Sequence, residues 1–113
     1  MGQTTENWKA QIRKGYLELC VLCLIRAQGR VYGFDILERL AKLGLDVKEG
    51  TLYPLLNRMT VDSTLTSVWE TEGVKGHPRK FYSLTPAGKA LLDEMSGEFD
   101  RMIEIYQSFT KGN

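Results

Sequence analysis

The sequence is poor in the residue types that metal centres, redox sites and many catalytic sites require. Its 113 residues include one histidine, two cysteines and three prolines. The sequence contains no array of serine, histidine and aspartate suited to nucleophilic catalysis, no glycine-rich phosphate loop and no cluster of metal ligands. It therefore predicts neither an enzyme nor a bound metal or cofactor.

Long apolar runs are also absent. No stretch of about 18 apolar residues occurs, so no membrane-spanning helix is predicted. The start "MGQTTENWKAQIRKG" lacks the apolar core of a secretory signal. A cytoplasmic protein with no membrane partner is expected.

The two cysteines, Cys20 and Cys23, stand in the apolar stretch "LELCVLCLI". A C-x-x-C spacing occurs in redox sites and in halves of zinc sites. No second pair exists here and His77 is the only histidine, so no metal ligand is predicted. A buried free cysteine packs like a small hydrophobic residue, and we predict that role for both thiols.

The overall charge is nearly balanced, with 15 Lys and Arg against 14 Asp and Glu. The distribution along the chain is uneven. Residues 1–84 carry 12 Lys and Arg against 9 Asp and Glu, whereas residues 85–113 carry 3 against 5. The basic excess therefore lies upstream of the last predicted helix, and part of it is concentrated in one loop.

Apolar periodicity predicts two helices in the first 44 residues. The first covers about Asn7–Gln28, ends at Gly29 and has a wide apolar stripe, which predicts burial on more than one side. The second covers "VYGFDILERLAKLG", and Gly44 supplies a left-handed stop.

The stretch "KEGTLYPLLNRM" predicts a third helix, Lys48–Thr60, with two different faces. One face is core and follows the helical period at Leu52, Leu55, Leu56 and Met59. Asp46 and Glu49 have the spacing of a capping box. Pro54 falls just past the first turn, where a mild bend is expected.

The other face of this third helix carries side chains that suit DNA. Thr51 and Tyr53 lie near the helix start, where free N–H groups and the helix dipole favour a phosphate. Three further polar or basic residues complete the set, namely Lys48, Asn57 and Arg58. We predict that all five contact DNA. The alternatives are a phenol that caps the core, a hydroxyl bonded to its own backbone, and a solvated surface.

Two strands are predicted next, in "LTSVWETE" and "RKFYSLT", joined by the loop "GVKGHPR". The loop and the strand after it carry Lys75, His77, Arg79 and Lys80 with no acid among them. We predict that this hairpin contacts phosphate or the minor groove; a solvated surface is the alternative. Because Arg79 and Lys80 alternate along a strand, only one of them is expected to face DNA.

The last predicted helix begins with Thr85 as N-cap and Pro86 at its first position, and it continues to Phe109. Small or apolar residues then recur with a 4-3 spacing that is typical of paired helices. The seam predicts a homodimer through Leu92, Met95, Phe99, Met102, Tyr106 and Phe109.

Three helices followed by a two-stranded hairpin is the order of a winged helix-turn-helix. In that fold the third helix enters the DNA major groove and the hairpin reaches beside it. The predicted class is therefore α+β, mainly α. A winged helix-turn-helix DNA-binding domain at residues 1–84 and a C-terminal dimerisation helix at residues 85–113 are expected to form one compact unit.

Three motifs, "GTLYPLLNRM", "RKFYSLTPAG" and an early "YG", resemble the PadR family of bacterial transcriptional regulators. The short length and single C-terminal helix are similar to the smaller branch of that family. The resemblance implies a homodimer that binds palindromic double-stranded operator DNA, usually as a repressor released by a ligand. The segment "TVDSTLTS" departs from the family pattern, because a non-glycine residue near Ser63–Thr64 must make a left-handed turn.

The resemblance also implies a place for a small aromatic effector. In the family, the N-terminal helix of one subunit packs on the last helix of the other, and some members hold flat aromatic drugs between subunits. Trp8 and Phe99 are suitably placed to line such a site, with simple packing as the alternative.

For the whole protein, the alternative to a DNA-binding regulator is a winged-helix protein-interaction module without DNA binding. The neutral pI of about 7.7 allows that reading, and the basic hairpin argues against it.

Overall fold

The computed structural model describes residues 4–71 and 78–111. Within these ranges the chain forms four helices and three strands, namely α1 (Thr4–Gln28), β1 (Val31–Tyr32), α2 (Gly33–Lys42), α3 (Glu49–Val61), β2 (Leu65–Glu70), β3 (Arg79–Leu84) and α4 (Pro86–Thr110). The strands form one antiparallel sheet in the order β1-β3-β2. We call the hairpin whose arms are β2 and β3 the wing.

The core lies between α1, α2, α3, the start of α4 and one face of the sheet. Its most deeply buried side chains come from all of these elements: Val21, Leu22, Ile25, Ile36, Leu40, Leu52, Leu56, Met59, Leu65 and Leu92. The helical members recur at spacings of three and four, so each helix turns one apolar stripe inward. This packing fixes which side of α3 points to solvent.

The predicted winged-helix order is confirmed. α1 ends at Gln28, and Gly29 after it has φ of +82°. Gly44 follows α2 with φ of +91°, as a left-handed stop requires. Thr85 caps α4, with Pro86 at its first position.

One predicted boundary was wrong, because Val31 and Tyr32 form β1 instead of opening the second helix. They pair with Tyr82 and Phe81 along the free edge of β3, and Val31 is buried. Two residues are too few to show strand periodicity, and a ladder partner more than 45 positions away decides their conformation.

The predicted capping box was also wrong. α3 begins at Glu49, and its N-cap residue is Lys48, which makes no side-chain capping bond. Leu45 and Val47 both pack against the core, so the chain stays extended between them and Asp46 is exposed. Burial of two alternating apolar side chains therefore sets where α3 starts.

Ser63 makes the left-handed turn after α3, as predicted, with φ of +66°. The Thr64 N–H donates to the Met59 carbonyl at 2.9 Å, which closes the helix end. The Thr85 hydroxyl lies 2.6 Å from the Ser63 carbonyl and accepts a bond from the Gly88 N–H at 2.9 Å. The start of α4 is thus tied to the turn between α3 and β2.

Candidate nucleic-acid interface

α3 presents a narrow ridge to solvent. Because Leu52, Leu56 and Met59 are buried, the opposite side of the helix faces outward. Gly50 adds no side chain there and has open space around it, and the exposed Pro54 follows one turn later. Since a proline has no N–H, the helix also carries one backbone hydrogen bond fewer at this point. A slim ridge of this kind can approach another molecule closely.

An open hollow lies on each side of this ridge, and Pro54 borders both. The first, between α3 and the wing, has aromatic walls and two polar side chains: Tyr32, Tyr53, Trp69, Tyr82, Asn57 and Lys80. We call it the wing hollow. The second, between α3 and the N-terminal half of α1, is lined by six charged side chains: Arg13, Lys14, Glu18, Asp46, Lys48 and Arg58. We call it the α1 hollow.

Strand pairing places Lys80 in the wing hollow. Lys80 lies opposite Trp69 in the β2–β3 ladder, so both side chains project from the same face of the sheet. The Lys80 Nζ is 5.4 Å from the centre of the Trp69 ring and 5.8 Å from that of Tyr82. These cation–π contacts hold the ammonium group at the opening of the hollow.

Two of the three tyrosines that line the wing hollow, Tyr53 and Tyr82, have a raised pKa and are protonated at neutral pH. Burial is the main reason that the pKa of Tyr53 lies above its ordinary value, with smaller contributions from Glu49 and Tyr32. Burial also raises the pKa of Tyr82, and Tyr53 adds to the effect. A neutral phenol can donate its O–H to a phosphate oxygen or a base acceptor.

Gly33 allows Tyr53 to take this position. A Cβ atom at Gly33 would lie 3.1 Å from Tyr53 Cε1 and 3.4 Å from Tyr82 Cε2. The start of α2 therefore packs directly on the faces of the two rings. This contact gives a physical reason for the early "YG" motif.

The α1 hollow is bridged by an ion pair. The Arg58 guanidinium lies 3.3 Å from a carboxylate oxygen of Glu18 on α1 and 3.5 Å from one of Asp62. Thr51 borders the same hollow. Arg58 therefore faces α1 and already has two carboxylate partners.

Six of the residues predicted to contact DNA line one of the two hollows, and Arg79 lines neither. Tyr53, Asn57 and Lys80 line the wing hollow, whereas Lys48, Thr51 and Arg58 line the α1 hollow. Arg79 lines neither hollow, and its guanidinium carbon is 4.9 Å from the centre of the Tyr32 ring. Lys75 and His77 lie outside the described residues.

Sequence reasoning missed some of the residues in these hollows. Trp69 follows from the ladder, because a residue opposite Lys80 shares its face, but the register had to be known first. Arg13 and Lys14 belong to a helix that was assigned to packing alone. Only the tertiary arrangement brings their side chains beside α3.

The predicted dimer seam on α4 changes character along its length. Leu92 is fully buried in the core of its own chain, so the prediction of an interface role for Leu92 was wrong. Met95 is partly buried against the same core. The later members of the seam, Met102, Tyr106 and Phe109, are 56%, 62% and 81% exposed. α4 leaves the core about halfway along its length.

Phe99 lies where the seam changes from buried to exposed. Its ring stacks on Tyr16 of α1 in the same chain, with centroids 5.9 Å apart. Both rings border a groove between α1 and α4. The two cysteines, Cys20 and Cys23, also line this groove. Trp8 does not border this groove and is 61% exposed.

The two thiols are partly buried against the core and open to the same groove. Burial raises the pKa of Cys20, a hydrogen bond with Tyr16 lowers it and Cys23 raises it further, for a net rise. Cys20 is therefore a neutral thiol at pH 7. Both side chains contribute packing, as predicted, at the edge of the core.

Within residues 4–71 and 78–111, no three side chains of His, Cys, Asp or Glu converge closely enough to hold a metal ion. None of the described helices combines the length and the apolar character that crossing a bilayer needs.

The helix-turn-helix of α2 and α3, followed by the wing, defines a winged helix-turn-helix protein. Residues 21–94 match the transcriptional regulator PadR-like family. Transcriptional regulator Rv3488 of Mycobacterium tuberculosis is 39% identical over 90 residues, which is 77% of this chain and 82% of that protein. The chain belongs to the PadR-like family of transcriptional regulators.

Solved structures agree with this assignment. A PadR-like transcription factor from Bacteroides fragilis superposes with a TM-score of 0.76 at 39% identity, covering 91% of this chain and 98% of the other. A PadR family regulator from Eggerthella lenta gives a TM-score of 0.84 at 27% identity, covering 99% and 96%. Bacillus subtilis PadR in complex with operator DNA gives 0.62 at 30% identity, covering 70% of this chain and 44% of that one.

Proposed function

We propose that this protein is a transcriptional regulator that binds double-stranded DNA through α3 and the wing. The observation that carries the proposal is the slim ridge of α3 beside a hollow in which Lys80, Tyr53 and Asn57 converge. A major groove about 12 Å wide admits one helix. The similarity to Bacillus subtilis PadR, which was solved in complex with operator DNA, supports DNA binding by this chain.

Each polar side chain in the wing hollow suits a particular contact. Asn57 points outward from the middle of α3, and its amide can pair with the N6 and N7 edge of an adenine. Lys80 carries a charge that Trp69 and Tyr82 orient, which suits a phosphate. Tyr53 can donate its phenolic O–H to a phosphate oxygen. Lys48 and Thr51 line the α1 hollow on the other side of α3, where they can contact the DNA backbone.

The wing loop supplies further phosphate or minor-groove contacts in this proposal. Lys75 and His77 lie outside the described residues, and their role rests on the sequence alone. Arg79 lines neither hollow and its guanidinium contacts the Tyr32 ring, which supports assigning the DNA contact of this strand to Lys80. Arg58 is held by Glu18 and Asp62 and contributes by fixing α1 to α3.

We infer that the protein acts as a homodimer. Residues 1–84 form the DNA-binding unit, and the exposed half of α4, within residues 85–113, supplies the dimer contact. Met102, Tyr106 and Phe109 expose a continuous apolar stripe on α4, and such a stripe is stabilised by a partner surface. Met95 and Phe99 form the end of this stripe that lies nearest the core. Two-fold symmetry then presents two copies of α3 to a palindromic operator, with half-sites about 34–36 Å apart or a multiple of that distance.

Repression with release by a small aromatic effector is the form of regulation that we propose. The candidate effector site includes Phe99, which borders the groove of α1 and α4, and Trp8, which is exposed outside that groove and would join Phe99 across the proposed dimer interface. A flat apolar molecule would stack on such rings. It would release DNA only by favouring a dimer geometry in which the two α3 helices no longer fit the operator. As a regulator of chromosomal genes, the protein would act in the cytoplasm.

A gel-shift assay tests the proposed function. The probe is the duplex upstream of the protein's own coding sequence, and the control is a scrambled duplex of equal length. Wild type should bind the upstream duplex more tightly. Asn57→Ala should reduce the preference for it, whereas Lys80→Ala should weaken binding to both duplexes equally. A folded wild-type protein that retards neither duplex would contradict the proposal and favour a protein-interaction module.

A further inference from the structure

The α1 hollow contains cations that have no ion-pair partner among the described residues. Arg58, Glu18 and Asp62 satisfy one another. Arg13, Lys14 and Lys48 line the same hollow, and in the part of the chain that the structure describes none of the three forms an ion pair. Asp46 is the other carboxylate that lines it, so cations outnumber acids there by four to two.

The position of this hollow relative to α3 is specific. The wing hollow and the α1 hollow lie on opposite sides of the helix, and Pro54 borders both. A helix that occupies a major groove has a phosphate backbone on each side, because the groove is bounded by both strands. One hollow therefore faces one strand, and the other hollow faces the complementary strand.

We propose that the α1 hollow is a second backbone-binding site, in which Arg13 and Lys14 of α1, together with Lys48, hold the phosphates of the strand opposite the one that the wing contacts. The proposal rests on the proposed function, since it needs α3 in the groove. It adds α1 to the DNA-binding surface. Arg13 can bind a phosphate through two parallel N–H donors, and Lys14 acts as a point charge.

Arg58 and Glu18 act as positioning residues in this site. Their ion pair joins the middle of α3 to α1 and keeps Arg13 and Lys14 at a fixed distance from the ridge. The pair also neutralises the one carboxylate that α1 directs toward α3 among the charged residues of the hollow. A phosphate entering the hollow therefore meets a net positive surface.

The salt dependence of duplex binding tests the proposal. The logarithm of the binding constant falls with the logarithm of salt concentration by about 0.9 for each phosphate contact. In a dimer, the double variant Arg13→Ala/Lys14→Ala removes four contacts, so the slope should become shallower by about 3.6. Lys89→Ala is the matched control, because Lys89 is an exposed cation on α4 that lines neither hollow. Its slope should equal that of wild type.

Uncharged phosphates locate the contact on the DNA. Single methylphosphonate substitutions are placed in turn along both strands of the upstream duplex, and the affinity of each duplex is measured. Wild type should be sensitive at one cluster of positions on each strand of a half-site. Arg13→Ala/Lys14→Ala should lose sensitivity at one cluster, and Lys80→Ala should lose it at the cluster on the other strand.

The outcomes separate this inference from the proposed function. If wild type binds no duplex, both the proposed function and the second backbone-binding site are wrong. If wild type binds but the double variant keeps the wild-type slope, or loses sensitivity on the same strand as Lys80→Ala, the second backbone site is wrong and DNA binding stands. Circular dichroism of each variant should match wild type, since Arg13, Lys14 and Lys89 are exposed and Lys80 is only partly buried.

Discussion

Replacement of Gly88 by alanine should detach the start of α4 from the turn between α3 and β2. A Cβ atom at Gly88 would lie 2.0 Å from the Thr64 carbonyl oxygen and 3.0 Å from its carbon. Both are backbone atoms, so no side-chain rotation relieves the contact. The start of α4 would therefore have to move away from Thr64. This movement would lengthen the hydrogen bonds that the Thr85 N–H and the Thr85 hydroxyl donate to the Thr64 carbonyl.

The size of the effect follows from two opposing contributions. Forcing an extra methyl group into a packed site costs about 1–3 kcal/mol, and contact with backbone favours the upper end. Alanine is better than glycine inside a helix by up to about 1 kcal/mol. The free energy of unfolding of Gly88→Ala should therefore fall by about 2 kcal/mol, or roughly 8 °C in Tm for a domain of this size.

Gly97→Ala on the same helix provides the matched control. A Cβ atom at Gly97 meets nothing within 4 Å, so only the helix preference remains and stability should rise by about 0.5–1 kcal/mol. Urea unfolding at one fixed protein concentration measures both variants, because stability of a dimer depends on concentration. Equal stability of Gly88→Ala and wild type, alongside a stabilised Gly97→Ala, would refute the close contact with Thr64.

Four further predictions concern stability and assembly. Leu92→Ala should lower the free energy of unfolding by about 2–5 kcal/mol because it empties core volume, whereas Phe109→Ala should weaken the dimer in sedimentation with little change in folded content. Ser63→Gly should raise Tm slightly, because a left-handed non-glycine residue costs about 1–2 kcal/mol. Burial raises the pKa of Tyr53 and Tyr82 above the ordinary value of 10.0, so their contribution to stability is complete below pH 10 and should be lost above it in urea titrations. Tyr53→Phe should reduce that high-pH loss, and an unchanged pH profile would show that partial burial does not raise the pKa of this phenol.

The sequence was sufficient to predict the four helices and the hairpin in their correct order. Their apolar stripes run at spacings of three and four, and residues such as Gly29, Gly44 and Thr85 mark ends through local backbone chemistry. These signals lie within a few residues of the feature they predict. Tertiary contacts therefore change these helices and their ends very little.

Features set by distant contacts were not predictable in the same way. β1 exists because β3 offers a free edge, and α3 starts where Leu45 and Val47 have both reached the core. Leu92 has the heptad spacing of an interface residue. However, the first part of α4 packs against the turn at Thr64, so Leu92 is buried in the core of its own chain. Periodicity shows that a face is apolar, and it does not show which surface covers that face.

In the candidate site, too, residues set by local sequence were predicted and residues set by distant contacts were not. The residues of α3 were predicted because "GTLYPLLNRM" separates a leucine face from a polar face within one helix. Trp69 required the strand register, and Arg13 required the packing of α1 beside α3. Arg58 was assigned to DNA from its polar character, whereas the structure pairs it with Glu18 and Asp62.

The binding constant for the upstream duplex, measured by fluorescence anisotropy over a series of salt concentrations, tests the central claim most directly. A dimer in which Lys80, Lys48, Arg13 and Lys14 of each protomer contact phosphates makes eight such contacts. The plot of log affinity against log salt should then be linear with a slope of about −7. Lys80→Ala should make that slope shallower by about 1.8. A slope near zero, or no binding at low salt, would contradict DNA binding through α3 and the wing.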